Sequence, residues 1–239
     1  MQGYVRPTAA NRATLDRRHA LRVNTMVKCI KFPCSDVRHE CYVVPDLDVQ
    51  PESMSIMLIS EAAQSSDFYY PGEDAPFAQT TVQAFQDAGA RVASLRDILG
   101  LGVYLTTAVK CGRTGYAIAK GTVQECSLLL EQEIDLFPNV QAYLLMGDVA
   151  IKTVNAIAKR SGQPRVIPAG STYKIRGGRF IFRGKRALPS YLQAGPSCFI
   201  EKSKRKMIAE DIATALKLLH WRQPPGASPA IVSPAARPA

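Results

Sequence analysis

The chain has 239 residues, 46% of them hydrophobic, with 30 Lys and Arg against 20 Asp and Glu and a net charge of +10. That is enough apolar sequence for a sizeable core, and the composition excludes a low-complexity or disordered chain. The positive surplus points to a polyanion as partner, nucleic acid ahead of anionic lipid. With no apolar run of the ~20 residues a membrane helix needs and no signal-like N-terminal stretch, a cytoplasmic protein without membrane contact is expected.

Residues 1–25 are basic and weakly patterned, and are expected to be flexible, although Arg12–Arg22 carries the spacing of a short helix. Ser55–Ser60 is a short apolar run that reads as a buried strand. Phe77–Ala90 has helical spacing and stops at a glycine. Val103–Val109 is β-branched and reads as a strand, Val123–Leu136 as an amphipathic helix, and Ala142–Met146 as a third buried strand ended by Gly147. Asp148 is placed to cap a helix over Val149–Arg160. Residues 172–176 and 179–183 flank Gly177-Gly178, a hairpin signal. Ala187–Leu192 reads as a fourth strand and Glu201–Leu219 as a closing helix. Residues 223–239, rich in Pro, Ala and Ser, read as a disordered tail. Strands alternating with helices predict an α/β fold: a three-layer α/β/α sandwich around a central, mainly parallel four-stranded sheet, in one domain over 26–222.

Six cysteines in a chain expected in the cytoplasm favour metal or catalytic roles over disulfides. Cys29 and Cys34 have four residues between them, and Cys111 and Cys126 have fourteen. Cys41 and Cys198 are left over. Two distant pairs can converge on one site of soft thiolate donors, suited to zinc or to an iron–sulfur cluster. Ordinary burial of free cysteines is the competing reading.

The segment from Lys159 to Arg186 holds nine Lys or Arg and no acid. It includes Arg176-Gly177-Gly178-Arg179, with Tyr173, Phe180 and Phe182 interleaved. Lys202, Lys204, Arg205 and Lys206 form a second cluster. Both read as surfaces that grip phosphates, against the plainer reading of a solvated charged face.

Several motifs in order then resemble the family 4, iron–sulfur-containing uracil-DNA glycosylases. Two cysteines precede Val43-Val44. A strand ends in Ser60-Glu61, Asp67 lies in an acidic stretch, and Pro76-Phe77 follows. Leu105-Thr106-Thr107-Ala108-Val109-Lys110-Cys111 matches a strand ending in Val-Lys-Cys. Cys126 follows on a helix, then Glu133-Ile134 and Pro138. Leu145-Met146-Gly147-Asp148 matches a Leu-Gly strand end, and Gly195-Pro196-Ser197 stands where the family has His-Pro. The likeness covers roughly residues 26–220.

The resemblance implies a [4Fe–4S] cluster held by Cys29, Cys34, Cys111 and Cys126, structural rather than redox-active. The family's first two cysteines stand closer together, so Cys41 is an alternative to Cys29 or Cys34. It implies a monomeric DNA glycosylase acting on a flipped-out base, with Glu61 and Asp67 as the catalytic carboxylates. Phe77, Thr107, Gly195 and Ser197 would line the base, with Phe77 stacking on it and Tyr69 and Tyr70 nearby. Arg176, Arg179, Lys202, Lys204 and Arg205 would contact DNA. Thr107 replaces the family's asparagine and Gly195 (Leu192 in another alignment) its histidine. A hydroxyl cannot reproduce the amide's donor–acceptor pair. The altered pocket points to a bulky modified pyrimidine, such as glucosylated hydroxymethylcytosine of phage DNA. Conventional uracil excision, a non-catalytic DNA-binding module and a zinc-stabilised nucleic-acid protein are the other readings.

Overall fold

The computed structural model describes residues 21–45, 48–62, 75–115, 117–193 and 201–220. The expectations for 1–20 and for the tail from 221 lie outside these residues. At the centre are β4 (Ile56–Ala62), β5 (Val103–Val109) and β7 (Ala142–Met146), in which every residue is buried. Continuous apolar runs of this kind suit strands covered on both faces. With β9 (Lys185–Ser190) and β8 (Phe180–Phe182) they form one sheet in the order β5-β4-β7-β9-β8. The first four strands are parallel and β8 is an antiparallel edge.

Helices α4 (Lys120–Asp135) and α5 (Asp148–Arg160) pack on each other and on one face of the sheet. Helices α2 (Pro76–Asp87), α3 (Leu95–Gly100) and α7 (Lys202–His220) form the other layer. A short helix α1 (Val23–Met26) and four two-residue strands complete the cysteine-bearing end. These strands are β1 (Leu21–Arg22) paired with β3 (Asp48–Val49), and β2 (Val37–Arg38) paired with β6 (Gly112–Arg113). The three-layer α/β/α architecture is as expected from the sequence.

Several local expectations are corrected. The main sheet has five strands, not four. The hairpin does not turn at Gly177-Gly178: Thr172–Ile175 is a short helix, α6, and Gly178 N–H closes it on the Ile175 carbonyl. The turn is Arg183-Gly184, both at positive φ (50° and 75°), between the paired residues Phe182 and Lys185. Two consecutive left-handed residues give the twist a two-residue hairpin needs. Helix α3 was not anticipated, although Ser94 and Asp97 form a reciprocal capping box at its start. Asp148 is no cap; it lies in the first turn of α5 and pairs with Lys152. Helix α4 begins three residues before Val123 because Asp36, far away in sequence, accepts from Ala119 N–H (2.6 Å) and from the Thr122 hydroxyl. Leu21-Arg22, the end of the predicted N-terminal helix, is strand instead.

Candidate active site at the carboxyl ends of the strands

The four parallel strands point their carboxyl ends the same way, the end where open α/β sheets bind ligands. Glu61 lies there on β4 and is 9% exposed. Its Oε2 accepts from Arg113 Nη1 at 2.7 Å and its Oε1 from the Val149 backbone N–H at 3.3 Å. The carboxylate thus occupies the positive N-terminal end of α5. Gly147, at φ 99°, makes this possible: a Cβ there would meet Glu61 Oε1 at 2.5 Å. The Gly that closes the third apolar run is therefore the space into which Glu61 fits.

Neighbouring residues of a strand face opposite ways, so Ser60 turns to the α2 layer. It is fully buried beside Thr107, its partner in register on β5. The Gln193 side chain, also fully buried, donates from Nε2 to Ser60 Oγ (2.9 Å) and makes a longer contact with Thr81 Oγ1 (3.4 Å) on α2. Ser60, Thr107, Thr81 and Gln193 make a polar floor under α2. The Thr107 hydroxyl is buried without a hydrogen-bond partner among the described residues. Phe77, in the first turn of α2, is 4% exposed and packs in the core. Sequence reasoning missed Gln193 and Arg113; nothing local to either residue marks it.

On the other face of β5 a buried network forms. Lys110 and Glu133, both fully buried, form an ion pair. The ammonium also donates to Thr106 Oγ1 and the Thr107 carbonyl, each at 2.7 Å. Tyr104 OH and Thr106 Oγ1 donate to the Glu133 carboxylate at 2.7 and 2.9 Å. Every charge in this pocket is satisfied, which is the condition for tolerating such a pair.

Cys29, Cys34, Cys111 and Cys126 lie close enough for their charges to act on one another. Burial pushes the Cys111 thiol up to about 12, helped by the charges of Cys126, Cys29, Cys34 and Cys41. Burial raises Cys126 to about 11, opposed by the Lys110 backbone N–H bonded to its sulfur, with Cys34 and Cys29 adding to the rise. Cys34 is raised by burial, with Cys29 contributing. Cys41 adds to the rise at Cys111; it packs against Gly112, where a Cβ would meet Cys41 Cβ at 2.6 Å. His39 Nδ1 stands 3.5 Å from Cys111 Sγ. Among the described residues, no group of three or more His, Cys, Asp or Glu is arranged so that it could hold a metal ion.

The basic residues part company. Arg176 is bound by Asp211 (2.7 and 3.1 Å), Glu210 (3.0 Å) and the Met207 carbonyl (2.8 Å). Arg205 clamps Asp87 and holds its carboxyl below the usual range. Lys204 pairs with Glu201 and lies over the Tyr191 ring. Arg179 and Lys202 are exposed, with no ion pair among the described residues. Within the acid-free run, Arg160 and Arg183 share Glu131. The run lacks acids, but α4 and α7 supply them. Asp67, Tyr69, Tyr70, Gly195, Ser197 and Cys198 lie outside the described residues.

No family model matches the chain. It is 27% identical over 124 residues to the type-5 uracil-DNA glycosylase of Thermus thermophilus, a match covering 51% of this chain and 53% of that protein. The chain thus spans about half the length of the curated relative it matches. With the α/β fold and its mostly parallel sheet, this similarity supports a distant relationship to the uracil-DNA glycosylase superfamily.

Proposed function

We propose that the protein is a DNA glycosylase that hydrolyses the N-glycosidic bond of a flipped-out base and leaves an abasic site. The observation that carries this reading is the Glu61 carboxylate, fixed at the carboxyl end of β4 by Arg113 and the Val149 N–H. Among the described residues each oxygen has one bond, which leaves a lone pair for a further donor. The group is suited to orient a water toward the anomeric carbon and to sit beside a sugar that gains positive charge as the bond breaks. Asp67 is the second carboxylate of this proposal. Phe77 and Thr107, on the α2 side of the sheet end, would contact the base, and Gly195 and Ser197 are the other base contacts of this proposal.

The substrate in this reading is a bulky modified pyrimidine, with glucosylated hydroxymethylcytosine of phage DNA the first candidate. Support comes from Thr107, a small side chain whose buried hydroxyl has no hydrogen-bond partner among the described residues. Arg179 and Lys202, exposed and without an ion pair among the described residues, would hold DNA phosphates.

In this reading the thiols hold an iron–sulfur cluster. Cysteine thiolates are the usual ligands of such a cluster. Cys29, Cys34, Cys111 and Cys126 would hold it, with the Lys110 N–H bonded to the Cys126 sulfur. When bound, the cluster supplies a covalent tie between the 29–41 segment, the end of β5 and α4. Cys111 is two residues from Arg113, so the tie reaches the group that positions Glu61.

The test is a substrate panel: uracil DNA and glucosylated phage DNA, single- and double-stranded, each treated with protein and then alkali. Strand breaks in the glucosylated DNA that vanish with Glu61→Ala are expected. Breaks only at uracil would overturn the base assignment, and none on any substrate would overturn the activity. Visible absorption with bound iron, lost in Cys111→Ser and Cys126→Ser, checks the cluster.

A further inference from the structure

The outer surface of the α4/α5 layer carries a groove of about 870 Å³ that the proposed active site does not use. Its floor is aliphatic, formed by Ile118, Val123, Leu128 and Ala156. Leu128 is 43% exposed, one of the few large apolar side chains on the described surface. The rim is cationic: Lys120, Lys152, Lys159, Arg160 and Arg165 face a single carboxylate, Glu125.

Two of these cations are already engaged, Lys152 with Asp148 and Arg160 with Glu131 and Ser127. Lys120, Lys159 and Arg165 are exposed and make no ion pair among the described residues. The wall is fastened in place. The Asn155 side chain donates to the Ile167 carbonyl and accepts from the Ile167 N–H, both at 3.0 Å, which ties the segment after α5 back onto the helix. The groove is preformed, so little ordering opposes an occupant.

We propose that this groove docks an acidic, amphipathic peptide segment of a protein partner. Its aliphatic side chains would lie on the Leu128 floor and its carboxylates at Lys120, Lys159 and Arg165. Charge complementarity selects the acid, and the apolar floor selects a peptide. Nucleic acid matches only half of this surface: among the described residues no aromatic ring lines it to stack a base, and an aliphatic floor offers phosphates nothing. The groove is also remote from Glu61. That carboxylate touches α5 at Val149, and Lys159 lies ten residues further along the helix, about 15 Å at the helical rise. An occupant would leave the proposed active site open.

Fluorescence anisotropy on the full chain tests this with three labelled probes. These are a short peptide alternating Asp or Glu pairs with Leu or Ile, the same peptide with Lys for the acids, and a single-stranded oligonucleotide. The acidic peptide should bind with an affinity that falls as salt rises. The triple variant Lys120→Glu, Lys159→Glu, Arg165→Glu should weaken it by about tenfold or more. Leu128→Glu should weaken it too, and both variants alter exposed side chains, so circular dichroism and melting should be unchanged. Equal binding of the acidic and basic peptides would overturn the proposal. So would a triple variant that loses the oligonucleotide but keeps the peptide, which would assign the groove to nucleic acid.

Discussion

Arg113 holds Glu61 through a 2.7 Å ion pair, from a strand that begins one residue after Cys111. The cysteine-bearing end and the proposed catalytic carboxylate are therefore one mechanical unit. Arg113→Met should lower the rate of base release by about tenfold to a hundredfold, because a small misplacement of a reacting group is costly. DNA affinity should change little. Gly147→Ala reaches the same carboxylate from the other side. A left-handed backbone alone costs an alanine about 1–3 kcal/mol, and the added Cβ collides with Oε1. Single-turnover kinetics beside thermal melts will check both; unchanged turnover in Arg113→Met would sever the link between that arginine and catalysis.

Thr107→Val separates stability from function. The hydroxyl is fully buried and unpartnered among the described residues, and such a group costs about 1–3 kcal/mol. Valine keeps the shape and removes the polar atom. The free protein should become more stable, by about 1 kcal/mol, while base release falls because the ligand loses its donor. A purely structural threonine would be destabilised by the change. Denaturant melts and base-release rates on the same preparations decide between them.

The frame was legible where one periodicity reports one environment. Strands β5 and β7 fall on Val103–Val109 and Ala142–Met146 as predicted, because strands buried on both faces show continuous apolar runs. Glu61 was legible by position, as a carboxylate at a strand end. Its partners were not: Arg113 and Val149 stand 52 and 88 residues away in the chain. The hairpin was misplaced because Gly177-Gly178 outweighed Arg183-Gly184, where an arginine takes the left-handed conformation usually left to Asn or Gly. The acid-free basic run misled for a related reason. A stretch of sequence shows its own charges and not those that folding lays against them.

Lys110 and Glu133 should be tightly coupled. Removing one partner of a buried pair leaves an uncompensated charge and costs about 3–5 kcal/mol, whereas replacing both with apolar residues is often near neutral. Lys110→Met and Glu133→Leu should each destabilise strongly, and the double variant should recover much of the loss. The same double variant tests the cysteine site, because Lys110 also bonds Cys126 through its backbone N–H, which the substitution keeps. Iron content should survive in the double variant. A double variant as unstable as the sum of the singles would show that the pair stabilises beyond mutual charge compensation.

Arg176 and Arg179 are three residues apart and should behave as opposites. Arg176 is spent on Asp211 and Glu210, and Asp211 also accepts from Ser190 at 2.6 Å, at the end of β9. Arg176→Ala should therefore lower stability, by about 2–4 kcal/mol for a largely desolvated, multiply bonded pair. It should leave the salt dependence of DNA binding unchanged. Arg179→Ala and Lys202→Ala should leave stability within about 0.5 kcal/mol and weaken DNA binding. Each should reduce the slope of log affinity against log salt by about 1, the signature of one lost phosphate contact. Titrations at several salt concentrations read the slope directly. If Arg176→Ala flattens the slope, the Asp211 pair opens on binding and the arginine is a DNA contact after all.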